Sequence, residues 1–313
     1  MDLKTKEQSK KRVLLTGGTG FIGKKLVQTL LKSDHEVTVL TRNVSAASDK
    51  FAHNIRFINN FCEITDDTQF DVIINLAGES LANGRWNKER KDTFIQSRLT
   101  ITADICDLIK RLEFKPEVLI NGSAIGYYGP HQDEVLNETG DVVDCFAHTL
   151  CKQWENKALE VEALGVRVCL LRIGIVLGDD GGPFVELKLP YTFGFSMQIS
   201  AGKQWMSWIH RDDLIAIILF AMNEPDINGP INGTAPNPVT NKGFADVLSL
   251  HVKTIFRIKF PAKLLSIIVG ELADEVLITG QHVIPEKVQK KGFVFTYPEL
   301  SLALTELVGP PLK

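Results

Sequence analysis

No Cys-x-x-Cys pair occurs in this 313-residue chain, and its five cysteines, Cys62, Cys106, Cys145, Cys151 and Cys169, are odd in number and scattered. That pattern excludes a disulfide framework and a zinc knuckle, so no metal is expected, and it predicts free, mostly buried thiols in a reducing, cytoplasmic setting. A surplus of charge of one sign is also missing: 35 Lys and Arg stand against 38 Asp and Glu, a formal net charge of −3. Without a positive field the chain is not expected to bind nucleic acid or an anionic membrane surface. Long hydrophobic runs are absent as well. Leu214 to Met222 and Leu264 to Gly270 are among the longest, and both stop well short of the ~20 residues that span a bilayer. The first residues are polar and charged, without the apolar stretch of a secretory signal, and residues 1–10 are expected to form a disordered tail.

What the chain does have is a globular composition, 44% hydrophobic and 23% charged, which supplies a large core at this length. It also has a concentrated run of glycines near its start. Lys11 to Gly23 reads as a short aliphatic run that breaks into Thr16-Gly-Gly-Thr-Gly-Phe-Ile-Gly23, followed by a helical pattern with Leu26, Val27, Leu30 and Leu31 on one face. In this strand, turn and helix, Gly17 permits the tight turn, Gly20 lets a pyrophosphate approach the backbone, and Gly23 lets the helix pack on the strand. The helix N-terminus, with Thr19, Gly20, Phe21, Ile22 and Gly23, would offer N–H groups to a phosphate. A second strand, Glu36 to Leu40, ends in Thr41-Arg42-Asn43, where a carboxylate would contact a free ribose hydroxyl. Arginine forks onto a 2′-phosphate instead, so Arg42 points to NADP(H), with Ser45 and Lys50 nearby.

Further strands are predicted at Ile55 to Ile58, Val72 to Leu76, Val118 to Asn121, Val166 to Leu171 and Ile231 to Thr234. Helices are predicted at Lys88 to Leu112, Phe146 to Leu164 and Asp213 to Met222, with Asp212 or Asp213 as the N-cap of the last. The alternation predicts an α/β fold, a Rossmann-type doubly wound parallel sheet with a smaller, discontinuous α+β substrate lobe. Gly- and Pro-rich breaks at Gly178 to Pro183 and Gly229 to Pro238 set the boundaries. The nucleotide domain is expected over 11–178 plus 207–234, and the lobe over 179–206 plus 235–313.

The quoted glycine run, together with Asn75-Leu-Ala-Gly78, Ser123 followed by Tyr127-Tyr128-Gly129, and Trp208-Ile-His-Arg-Asp-Asp213, resembles the extended short-chain dehydrogenase/reductase superfamily of sugar-nucleotide epimerases. It is similar above all to an atypical bacterial branch, whose members are often labelled nucleoside-diphosphate-sugar epimerases or cell-division inhibitors. Asn75 to Leu81, Arg85-Trp86, Ser97-Arg98 and Thr102 look like that branch's signature. Ala273 to Gln281, then Pro285 to Val288 and on to Phe295, look like its small C-terminal domain. The resemblance implies cofactor contacts from Leu76, Ala77 and Gly78, and it places Arg98 on the helix lining the cofactor cleft. It also implies a substrate region near Glu79 and Trp208.

In ordinary members a tyrosine moves the proton, a lysine four residues later assists it, and a serine orients the substrate oxygen. Ser123 stands at the serine position, but the resemblance puts Cys151 at the tyrosine and Glu155 at the lysine. Three sources of an acid–base group stay open: Cys151 with Glu155, a phenol from Tyr127 or Tyr128, or the Glu79 carboxylate. The expected activity is hydride transfer between NADP(H) and a small-molecule substrate, with Ser123, Tyr128 and Cys151 as catalytic candidates. The rival reading is a catalytically silent NADP(H)-binding regulator or scaffold. One sequence does not separate core from interface on any helix face, so oligomeric state is not readable.

Overall fold

The computed structural model describes residues 10–51, 54–81, 86–264, 270 and 278–312. The expected tail up to residue 9, Arg85, residues 273–277 of the C-terminal signature and residues 265–269 of the last apolar run lie outside the described residues.

In β1 (Arg12–Thr16) the residues Val13, Leu14 and Leu15 have no exposed surface, and the two-residue period sends Val13 and Leu15 into one core and Leu14 into the other. The chain turns at the glycines into α1 (Phe21–Lys32), whose Leu26, Val27 and Leu30 enter the same core as Val13. It then forms β2 (Glu36–Leu40), the short α2 (Val44–Ser48), β3 (Ile55–Ile58) and β4 (Val72–Asn75). The long α3 (Lys88–Arg111) starts at Asn87, whose side chain caps the Arg90 N–H. β5 (Val118–Ala124) and the two-residue β6 (Val135–Leu136) follow. α4 (Phe146–Leu159) tightens into a 3-10 turn over Glu160–Leu164 that ends at the left-handed Gly165, so the predicted single helix is two segments. β7 (Arg167–Ile173) completes this half.

These strands, with β12 described below, form one parallel sheet in the order β12-β7-β5-β4-β1-β2-β3. The order reverses between β1 and β4, and that switch point opens the crevice where ligands sit in such sheets. α1 and α6, defined below, pack on one face, while α3 and the α4 segment pack on the other, which gives the doubly wound fold expected.

After β7 come β8 (Ile175–Leu177), α5 (Pro183–Thr192), β9 (Phe195–Ile199), β10 (Trp205–Met206) and β11 (Trp208–His210). α6 (Arg211–Asn223) and β12 (Gly229–Gly233) return to the sheet. β13 (Val239–Thr240), α7 (Asn241–His251) and β14 (Phe256–Phe260) leave it again. The chain then forms β15 (His282–Val283), α8 (Glu286–Lys290) and α9 (Leu300–Val308). Phe184, Tyr191, Phe244, Leu248 and Leu304 build a third core away from the sheet, and β14 pairs with β9 beside it.

Two expectations change here. Residues 282–295, expected in the lobe, make contacts on the nucleotide-binding side: β15 pairs with β6 in a separate two-stranded sheet, Val288 is buried in the α1–α6 core, and Phe293 and Phe295 pack on it. The cap of α6 is His210, whose Nδ1 accepts the Asp212 N–H at 3.2 Å. Asp213 is structural by another route, since its carboxylate takes the N–H groups of Thr296 and Tyr297 at 2.9 and 2.8 Å. Among the described residues no helix is long and apolar enough to cross a membrane.

Candidate functional site

A cavity of about 1400 Å³ lies over the switch point, lined by Gly17, Thr19, Gly20, Arg42, Leu76, Ala77, Gly78 and Glu79 among others. Its floor depends on glycine. Gly17 has φ +73°, and a Cβ there would stand 2.6 Å from the carbonyl carbon of Leu76. At Gly23 a Cβ would stand 2.1 Å from the Gly17 oxygen, so helix and turn meet backbone to backbone. Gly20 caps α1 without any side-chain acceptor, which leaves the first helical N–H groups open toward an incoming anion. Phe21 and Ile22 offer only that backbone. The Phe21 ring turns away, enclosed by Gly178, Gly181 and Gly182 with the Arg211 guanidinium 4.8 Å above it, and Ile22 packs into the core.

At the far end Arg42 is exposed, and its side chain has no hydrogen bond or ion pair among the described residues; Lys50 lines the same wall. The opposite wall is fixed by Asn75, fully buried. Its Oδ1 accepts the Thr16 hydroxyl at 2.6 Å, and its Nδ2 donates to Thr102 and Asn121 at 3.0 and 2.7 Å. These bonds lock the loop from Leu76 to Glu79 over the end of β4. A dinucleotide fits the set: a glycine cradle that a Cβ would fill, an uncapped helix start, and an unpaired guanidinium at the opposite end.

Arg98 does not line this cavity. Its guanidinium is buried beneath Gly78, bonds the carbonyls of Phe94 and Glu79 at 3.2 and 3.1 Å, and lies 5.1 Å from the Trp154 ring. At this position the guanidinium braces the loop from beneath. The Glu79 carboxylate lines the cavity wall and is paired with Arg90 at 3.4 Å. Trp208 does not line the cavity. It has no exposed surface, its indole donates to the Asn237 carbonyl at 3.1 Å, and it belongs to the core of the lobe.

The three catalytic candidates converge on the C-terminal ends of β5 and β7, but each is already committed. Ser123 donates to Glu155 at 2.7 Å. Glu155 in turn holds Arg172 in a two-pronged ion pair, at 2.9 Å to Nε and 3.0 Å to Nη2, with both side chains buried. Arg172 passes its remaining nitrogen to the Tyr128 hydroxyl at 3.0 Å and the Glu138 carbonyl at 3.2 Å. Tyr128 donates to Asn232 at 2.7 Å. Burial pushes the Tyr128 phenol up to about 12, although Arg172 acts against it. Burial first, and then Glu155, push the Cys151 thiol up to about 12. Both groups are therefore held in their neutral forms, Tyr128 inside a closed set of hydrogen bonds and Cys151 beside Glu155. Of the thiols, Cys106, Cys151 and Cys169 are buried as expected, Cys62 is exposed, and half-buried Cys145 caps α4 by accepting the His148 N–H at 3.4 Å.

Sequence reasoning missed Arg172, Glu138 and Asn232. Glu138 is buried, and its carboxylate accepts the N–H groups of Asn232 and Lys287, both at 3.1 Å. The signal for Arg172 was present: a charge inside the aliphatic run Val-Cys-Leu-Leu-Arg-Ile demands a buried partner, and Glu155 supplies it.

Residues 13–232 match the NAD dependent epimerase/dehydratase family, and residues 260–307 match a domain of unknown function, DUF1731. An epimerase family protein of Staphylococcus aureus is 38% identical over 300 residues, covering 96% of this chain and 99% of its own. Among solved structures, the human epimerase family protein SDR39U1 (isoform 2) with NADPH superposes with a TM-score of 0.84 at 30% identity, over 95% of this chain and 99% of that one. A nucleoside-diphosphate sugar epimerase from Corynebacterium glutamicum gives 0.77 at 28% identity, over 97% of this chain and 59% of that one.

Proposed function

The chain belongs to the NAD dependent epimerase/dehydratase family, and from that premise we propose that it binds NADP(H) across the switch-point cavity and acts by hydride transfer on a small molecule of the sugar-nucleotide class. The observation that carries this reading is the pairing, in one cavity, of the uncapped α1 start with the unpartnered Arg42 some twenty residues later. The helix start takes the pyrophosphate and Arg42 takes the 2′-phosphate. The NADPH found with the human relative supports the same choice of cofactor. Gly17, Thr19, Gly20, Leu76, Ala77 and Gly78 shape the cradle, Phe21, Ile22 and Gly23 contribute backbone only, and Ser123 marks the substrate end. The bound nicotinamide would supply or accept the hydride; the chain's task is to hold it, exclude water and handle the proton. Free thiols in this number suit a reducing, cytoplasmic compartment.

The test is equilibrium binding of NADPH and NADH followed by cofactor fluorescence, with preference for NADPH expected and equal affinity counting against the reading. A second reading, a silent NADP(H)-binding regulator, is favoured by Cys151 and Glu155 at the positions of the usual proton-handling pair. Cofactor oxidation across a panel of sugar nucleotides, ketones and quinones separates the two, because any turnover removes the silent reading.

A further inference from the structure

With Ser123, Tyr128 and Cys151 committed or enclosed, one phenol remains at this edge of the sheet. Tyr127 lies in the 3-10 turn Ile125–Tyr128 directly after β5, and it is half-buried. Its hydroxyl has no hydrogen-bond partner among the described residues. Its backbone is pinned by His148, whose Nδ1 bonds the Tyr127 carbonyl at 2.5 Å, and its ring packs edge-on against Tyr128 and His148. Beneath the ring, 3.4 Å from its centroid, sits the guanidinium carbon of Arg172.

We propose that Tyr127 supplies the proton in this chain's hydride-transfer chemistry, with Arg172, anchored by Glu155, as the cation that accompanies it. The inference rests on the NADP(H)-dependent reading above and deepens it. Glu155 and Arg172 then form one arrangement. A lysine at position 155 would put a second positive charge against Arg172 in a buried site, whereas a carboxylate there fixes the guanidinium in a two-pronged pair and aims it at the Tyr127 ring. The positive charge is delivered from strand β7, not from the helix, and the phenol from the turn after β5.

In the reducing direction a bound nicotinamide would supply the hydride to the substrate carbonyl carbon, and the C=O electron pair would move to the substrate oxygen. The O–H bond of Tyr127 breaks and that oxygen takes the proton. The negative charge left on the phenol lies over Arg172 until a proton returns from water.

The deciding experiment is O-acetylation of the full chain by N-acetylimidazole, mapped by peptide mass spectrometry with and without saturating NADP⁺. Tyr127 should be acetylated in the free protein and protected by NADP⁺, while Tyr128 stays unmodified in both. Acetylation of Tyr127 at an unchanged rate under NADP⁺, or no acetylation at all, overturns the proposal. NADPH fluorescence on the same samples separates the two levels: binding without protection sinks only the Tyr127 role, and absence of binding removes the cofactor reading and this inference with it. Tyr127→Phe keeps the ring and its packing, so it should retain NADPH affinity. If 9,10-phenanthrenequinone is reduced, that variant should be slowed by roughly 100-fold or more. Unchanged quinone reduction overturns the role.

Discussion

Around the glycine turn and behind β5, two polar regions at the same edge of the sheet treat their hydrogen-bonding groups in opposite ways. At the turn, α1 starts without a capping side chain and Arg42 reaches no partner among the described residues. Behind β5, Glu155 accepts three donors and every nitrogen of the Arg172 guanidinium is bonded. Backbone and cationic groups that water can satisfy are free to exchange that water for a ligand at small cost. Groups sealed from water have to be satisfied by the protein, and they become scaffold.

The strongest test of that contrast is Arg172→Met, which strands the Glu155 carboxylate in a buried site. We expect a loss of roughly 3–5 kcal/mol in urea unfolding, with part of it regained by adding Glu155→Leu, since a buried pair removed together costs less than one partner removed alone. If Arg172→Met unfolds like the parent chain, the pair is not sealed and the contrast fails.

Alkaline unfolding probes the same region without mutation. Burial holds Cys151 at about 12 against 9.0 for a free thiol, and Tyr128 at about 12 against 10.0. The unfolded chain releases these protons first, so above pH 9 the native state binds more protons than the unfolded one, and stability falls as pH rises from 9 toward 12. A urea midpoint that stays flat over that interval would contradict the burial of both groups.

At the open region the expected effects fall on binding. Arg42→Glu should weaken NADPH by about 1.5–3 kcal/mol while changing NADH far less, as read by fluorescence titration. Equal weakening of both cofactors would detach Arg42 from the 2′-phosphate. Smaller still is Asn43→Ala. Asn43 caps α2 by accepting the Ala46 N–H at 3.0 Å, and its loss should cost about 1 kcal/mol in urea unfolding.

The same contrast explains what could be read from the sequence. The glycine turn is local: strand, turn and helix lie within about twenty residues, and each glycine answers a need of its own backbone. The parallel sheet followed from alternating patterns, because buried strands and amphipathic helices announce themselves one at a time. The sealed cluster is not local. Tyr128 and Asn232 are 104 residues apart, and Arg172 is 34 from Glu138, so no window on the chain contains them together. Spacing along the chain does not say which of the adjacent Tyr127 and Tyr128 rings faces inward. Trp208 drew attention as an aromatic in a family motif, yet its neighbours in β11 are as buried as it is. The contacts of 282–295 with the α1–α6 core leave no periodic trace, because the strand there is only two residues long.

That late packing on the α1–α6 core bears on how the polypeptide acquires its structure. The bond from the Lys287 N–H to Glu138 spans 149 residues, and that from Gln281 to the Gly129 carbonyl spans 152. During synthesis, a nascent chain that has reached β12 holds all seven strands of the sheet while Glu138 and the face that takes Val288 still await the last eighty residues. Contacts of such separation slow folding, and an intermediate with open apolar surface is prone to aggregate. The sheet therefore gains these contacts only once the segment around Val288 has been made. A nonsense mutation late in the reading frame would damage the domain that was made first.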